Sequence, residues 1–120
     1  MYKRHEPFRY QFDSPIEGSL SVIHTEDGSE RSNKGAILVY NLSPKGCCFT
    51  SDLILPIKQE LKFFIQISLN GDCLDMPGYT VWKKPTGKTY MYGFSLDENN
   101  VSADQITNAI KRYVGSIKSN

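Results

Sequence analysis

A chain of 120 residues is long enough for one domain with its own core and too short for two ordinary ones, and its 39% hydrophobic and 22% charged content excludes wholesale disorder. A formal net charge of +1 supplies no global basic field, which argues against DNA or RNA as a partner. The apolar runs fall far short of the roughly 20 residues that a spanning helix needs, and no signal peptide is visible, so a soluble cytoplasmic protein without direct membrane insertion is expected.

In residues 1–14 the aromatics Tyr2, Phe8, Tyr10 and Phe12 are mixed with Lys3, Arg4, Glu6 and Arg9, and Pro7 interrupts any helix. This segment reads as a flexible basic N-terminal arm whose Arg9 stays accessible while the rings pack on the domain. Residues 15–120 then form a single domain.

Ile16 to His24 alternates Ile16, Gly18, Leu20 and Val22 with Glu17, Ser19, Ser21 and Ile23, the pattern of a half-buried strand. Thr25 to Gly35 is a polar loop. Ala36 to Leu42 and Cys47 to Ser51 are apolar strands flanking Asn41-Leu42-Ser43-Pro44-Lys45-Gly46, where Pro and Gly stand at the second and fourth places of a type I turn. An amide, a hydroxyl and a glycine with open main chain also make this stretch a candidate binding edge.

Glu60 to Leu69 predicts the clearest strand, with Phe63, Ile65, Ile67 and Leu69 on one face, and Asn70-Gly71 predicts a type I′ hairpin returning through Cys73 and Leu74. Gly78 to Lys84, with Val81 and Trp82 on opposite faces, is a further strand. Pro85-Thr86-Gly87 reads as a turn, and Lys88 to Leu96 as a strand alternating Tyr90, Tyr92 and Phe94. Ser102-Ala103-Asp104-Gln105 has capping-box form, and Ile106, Ile110, Tyr113 or Val114, and Ile117 follow at helical spacing. The stripe packs on the barrel or on a second copy, which leaves a homodimer open. Short strands ending in one helix predict a mainly β fold, a small antiparallel barrel, with a sandwich also permitted by strand count.

Catalytic constellations are thin. His5 and His24 are the two histidines, and no nucleophile elbow or phosphate-binding glycine loop occurs, so no enzyme is expected. Cys47, Cys48 and Cys73 form no metal-binding spacing, and one of the adjacent pair is expected in the core as a small hydrophobe. Asp72 and Asp75 lack the rest of a calcium loop and read as a hairpin tip, so neither metal nor cofactor is expected. On chemistry alone the arm's cations read first as a solvated basic tail, and second, because arginine is mixed with aromatics, as a nucleotide contact, since a guanidinium grips phosphate and stacks on a base.

Taken together, the basic lead-in, Asn41-Leu42-Ser43-Pro44-Lys45-Gly46, Gly78-Tyr79-Thr80-Val81-Trp82, Tyr92-Gly93-Phe94 and the terminal helix resemble the PilZ domain family over nearly the whole chain. The family's second motif, Asp or Asn, any residue, Ser, any two, Gly, is matched completely. Its first motif, Arg, any three, Arg, is off register: His5 stands four residues before Arg9, and Arg4 one residue further away. The resemblance implies a six-stranded antiparallel β-barrel with a C-terminal helix and cyclic di-GMP as ligand. It implies that Arg9 meets phosphate and guanine, that Arg4 or His5 fills the first arginine position, that Asn41 and Ser43 offer side-chain hydrogen bonds, and that Gly46 admits close main-chain approach. The expected function is a bacterial cyclic di-GMP receptor or adaptor whose arm closes on the ligand and alters a surface seen by a protein partner. The alternative is a PilZ domain that binds no nucleotide and serves as a protein interaction module through a strand edge or the helix stripe.

Overall fold

In β4 (Phe63–Leu69) the period-two pattern is realised directly: Phe63, Ile65, Ile67 and Leu69 are buried, while Phe64, Gln66 and Ser68 are half-buried or exposed. The same rule shapes the strands around it in a computed structural model that describes residues 9–23, 32–58, 60–97 and 103–118. These are β1 (Tyr10–Val22), β2 (Gly35–Ser43), β3 (Gly46–Ser51), β5 (Asp72–Thr86) and β6 (Thr89–Leu96), followed by helix α1 (Ala103–Lys118). The strands close into an antiparallel barrel in the order β1-β2-β3-β6-β5-β4, with β4 pairing back onto β1. Closure leaves one lumen, filled by Val39, Phe49, Ile65, Met76 and Tyr92, all fully buried. Each such side chain contributes about 1.5–3 kcal/mol by leaving water.

The helix answers where its stripe goes. Ile106, Ala109 and Ile110 are buried in the barrel's own core cluster, and Tyr113 and Val114 pack against it. Ile117, the last residue of the stripe, stays 47% exposed. Arg112 Nε donates to Asp72 Oδ2 at 2.8 Å, tying the helix to the β4–β5 hairpin. In that hairpin Asn70 and Gly71 both have positive φ, 51° and 91°, as a type I′ turn requires.

Three expectations about segment bounds change. β1 begins at Tyr10, so residues 10–14 of the expected arm are strand. The cause is a ring cluster: Tyr10, Phe12 and Tyr113 of α1 meet edge to face with centroids 5.3, 6.0 and 5.5 Å apart. The return through Cys73 and the segment 78–84 form one strand of 15 residues that runs on through Pro77 to Thr86. Its turn falls one step later than expected, at Gly87-Lys88, where Gly87 takes a φ of 77°.

The β3–β4 connection is tied to the barrel through its buried Leu55 and a tyrosine of β6. Tyr92, buried in the lumen, receives the amide of Leu55 at 2.8 Å and donates its hydroxyl to the carbonyl of Leu53 at 2.6 Å. One phenol thereby satisfies two backbone groups of a loop that has no ladder of its own.

Candidate functional site

Asn41 faces outward because β2 breaks its alternation. Leu38 points out and Val39 in, and the pairing slips between Val39↔Phe49 and Asn41↔Cys48, so Tyr40 is an extra residue. The bulge resets the phase: Asn41 turns to the outer face and Leu42 is buried in the core. A second slip, between Thr80↔Phe94 and Trp82↔Gly93, does the same in β5 and makes Val81 the extra residue. Both Val81 and Trp82 therefore end up exposed, rather than on opposite faces as regular alternation predicts.

The two bulges align one row across five strands. Gln11 pairs with Asn41, Asn41 with Cys48, Cys48 with Gly93, and Gly93 with Trp82. Directly paired residues share a face, so this row lies on the barrel's outer surface. Next to its Trp82 end the row is flat at Gly93: a Cβ there would collide with the indole of Trp82, which lies over it.

Arg9 enters from the root of the arm, one residue before β1. Its Nη1 donates to Asn41 Oδ1 at 2.6 Å. With Cys48, Val81, Trp82 and Ser95 it borders a surface trough of about 320 Å³. Cys47, the inward member of the cysteine pair, is buried, and burial pushes its thiol well above the ordinary value, with Cys48 adding to the rise and Arg9 opposing it.

The turn beside the trough is held by its own serine. Ser43 is fully buried; its hydroxyl accepts from the amide of Lys45 at 3.2 Å and donates to the carbonyl of Gly46 at 3.3 Å. The Lys45 carbonyl in turn accepts from the amide of Leu96 at 2.9 Å, fastening the turn to the end of β6. Gly46 permits a close approach, and what approaches is β6: a Cβ on Gly46 would strike the Phe94 carbonyl. Asn41 thus presents its side chain outward, whereas Ser43 and Gly46 shape the edge from within.

Arg4 and His5 lie outside the described residues. Trp82 and Cys48 border the trough without having been singled out as site residues from sequence. The signal for Trp82 was Gly93, an isolated glycine in an aromatic strand, which marks a place where something lies close on the backbone. Cys48 carried no comparable signal.

Comparison with known proteins places these features. The family model described as PilZ domain matches residues 3–116. Among solved structures, the inhibitor of motility MotI/DgrA of Bacillus subtilis aligns with a TM-score of 0.63 and 11% identity, over 99% of this chain and 53% of that one. The chain therefore spans about half the length of that protein. The PilZ domain of YcgR from Escherichia coli, solved with cyclic di-GMP, aligns with a TM-score of 0.53 and 16% identity, over 94% of this chain and 95% of that one. No curated protein matches the chain in sequence.

Proposed function

The chain belongs to the PilZ domain family, a family of ligand-binding domains rather than enzymes, and from that premise we propose that it is a cytoplasmic bacterial receptor for cyclic di-GMP. The observation that carries the reading is the placement of Arg9 at Asn41 beside an open trough. A guanidinium presents a planar fork that matches two phosphate oxygens, so Arg9 grips the ligand while its register is set by the outward amide of Asn41. Trp82 offers a flat apolar wall on which a guanine base stacks, a contact worth about 1–3 kcal/mol for aromatic platforms. Arg4 and His5 close over the ligand from the arm, with Arg4 supplying the second guanidinium. Ser43 and Gly46 serve by keeping the turn in shape. Closure of the arm on the ligand then changes the surface met by a protein partner. The YcgR domain, which shares the fold and was solved with this nucleotide, supports the choice of ligand.

Titration calorimetry of the chain with cyclic di-GMP, paired with an amide NMR spectrum, tests the reading. Heat of binding and shifts at Arg9, Asn41 and Trp82 are expected. An absence of both at high micromolar nucleotide removes the receptor and leaves the interaction module, a reading favoured by one specific feature, His5 at the place of the first motif arginine.

A further inference from the structure

The start of β1 is set off from the rest of the strand. Tyr10 and Gln11 pair with Leu42 and Asn41, the register then slips, and pairing is next found at Ile16↔Val39. Residues 12–15 lie inside that slip, and Asp13, Ser14 and Pro15 are exposed. Two paired residues make a short ladder, so the direction of this opening stretch depends on what its side chains meet.

Alternation turns Tyr10 and Phe12 inward and leaves Arg9 and Gln11 exposed on the outer face. The inward rings end on the helix: Tyr113 meets Tyr10 and Phe12 edge to face, and Tyr10 and Phe12 meet each other in the same way. Arg9 thus stands one residue from a ring seated on α1, and from the other face its guanidinium reaches Asn41. Whatever fixes the inner face of this stretch also aims the outer one.

The dependence runs both ways. The first half of α1 is anchored by Ile106, Ala109 and Ile110 in the core, but beyond them Tyr113 and Val114 are half-buried and Gly115 and Ile117 are exposed. Gly115 has open space where a Cβ would sit, so it serves no close approach, and a glycine inside a helix weakens it. The Arg112–Asp72 pair nearby is too exposed to hold the last turns firmly.

We infer that Tyr113 is a positioning residue of the nucleotide site: seated on Tyr10 and Phe12, it holds Arg9 at Asn41, so the docking of the last turns of α1 and the binding of cyclic di-GMP are one coupled equilibrium. The inference rests on the reading of Arg9 and Asn41 as the nucleotide's contacts. Loss of the ring contact leaves Arg9 in place for only a fraction of the time, and apparent affinity falls by that fraction.

Titration calorimetry of the full chain with cyclic di-GMP, together with amide hydrogen exchange of α1, tests the coupling. Tyr113→Ala is expected to weaken binding roughly fivefold to a hundredfold, the span of ordinary coupling energies, whereas Tyr113→Phe keeps the ring and should bind within about twofold of the parent. Linkage is reciprocal, so saturating nucleotide should slow exchange at residues 110–116 of the parent, a measurement that needs no variant. Parental affinity in Tyr113→Ala, or unchanged exchange in the saturated parent, overturns the inference and leaves the receptor standing. A parent that binds no nucleotide removes the receptor instead. The positioning role is then read in the free protein: the Arg9 Nε and Asn41 side-chain amide resonances should shift in Tyr113→Ala and return in Tyr113→Phe, and resonances that do not move overturn it.

Discussion

Arg9 and Asn41 stand 32 positions apart in sequence and are joined by a 2.6 Å hydrogen bond from guanidinium to amide oxygen. The contact holds a cation at the outer row of the barrel before any ligand arrives, so part of the cost of ordering a long side chain is already met. Arg9→Ala is expected to weaken cyclic di-GMP binding by roughly tenfold to a hundredfold, the range of a charge-assisted hydrogen bond. Arg9→Lys should fall between, keeping the charge and losing the fork. Calorimetric affinities of the two variants check both statements.

Asn41 and Ser43 belong to one motif and are expected to fail differently. Asn41→Ala removes an outward amide and should reduce nucleotide affinity while leaving urea stability within about 0.5 kcal/mol of the parent. Ser43→Ala strips the turn of a buried hydroxyl with two backbone partners and should cost about 1–3 kcal/mol of stability. Binding should fall with it, because the edge loosens. If Ser43→Ala lost affinity at unchanged stability, the serine would be a direct contact after all.

Trp82 is the chain's one tryptophan, so its fluorescence reports on the trough alone. Cyclic di-GMP stacked on the indole should quench that emission in proportion to occupancy. Gly93→Ala places a methyl group under the ring and should push the indole outward. A red-shifted emission and weaker binding, with far-ultraviolet circular dichroism unchanged, are expected; parental emission would show that the ring does not rest on Gly93.

The buried Cys47 thiol gives a pH dependence of definite sign. In the unfolded chain the thiol sheds its proton near its ordinary value of 9.0, whereas in the fold it retains it. Above 9.0 the folded state binds the extra proton, so stability falls as pH rises, by up to about 1.4 kcal/mol per pH unit. The ammonium of Lys62, raised by its 2.7 Å hydrogen bond to Asp97, acts in the same direction but only above its ordinary 10.5. Denaturant titrations from pH 8 upward should therefore show Cys47→Ala flattening the fall between 9.0 and 10.5, while Lys62→Met changes only the part above it.

What was legible in the sequence is what local rules encode. The alternation of Phe63 to Leu69, the positive-φ pair Asn70-Gly71 and the helical spacing of Ile106 and Ile110 each follow from one element's own period, and the fold contains all three. The phase slips at Tyr40 and Val81 were not legible, because a bulge is a relation between two strands and leaves no mark in the period of either. That hid Trp82, whose neighbour across the ladder is Gly93 in another strand. The reach of β1 back to Tyr10 was hidden for a similar reason: it depends on Tyr113, a residue at the other end of the chain. The buried setting of Ser43, with its hydroxyl between Lys45 and Gly46, was not legible either, because a motif specifies residue types and spacing but not which way a hydroxyl points.

The strand order β1-β2-β3-β6-β5-β4 seats the last strand made between two made before it. The outer row draws Asn41 and Cys48 from the first half of the chain, Trp82 from β5 and Gly93 from β6. During synthesis, a nascent chain that has not yet released β6 from the ribosome has β3 and β5 as open edges and no continuous row between them. The outer row is thus completed in a single step, when β6 joins β3 to β5, and a product cut short before β6 has two separate pieces of the row and no whole one.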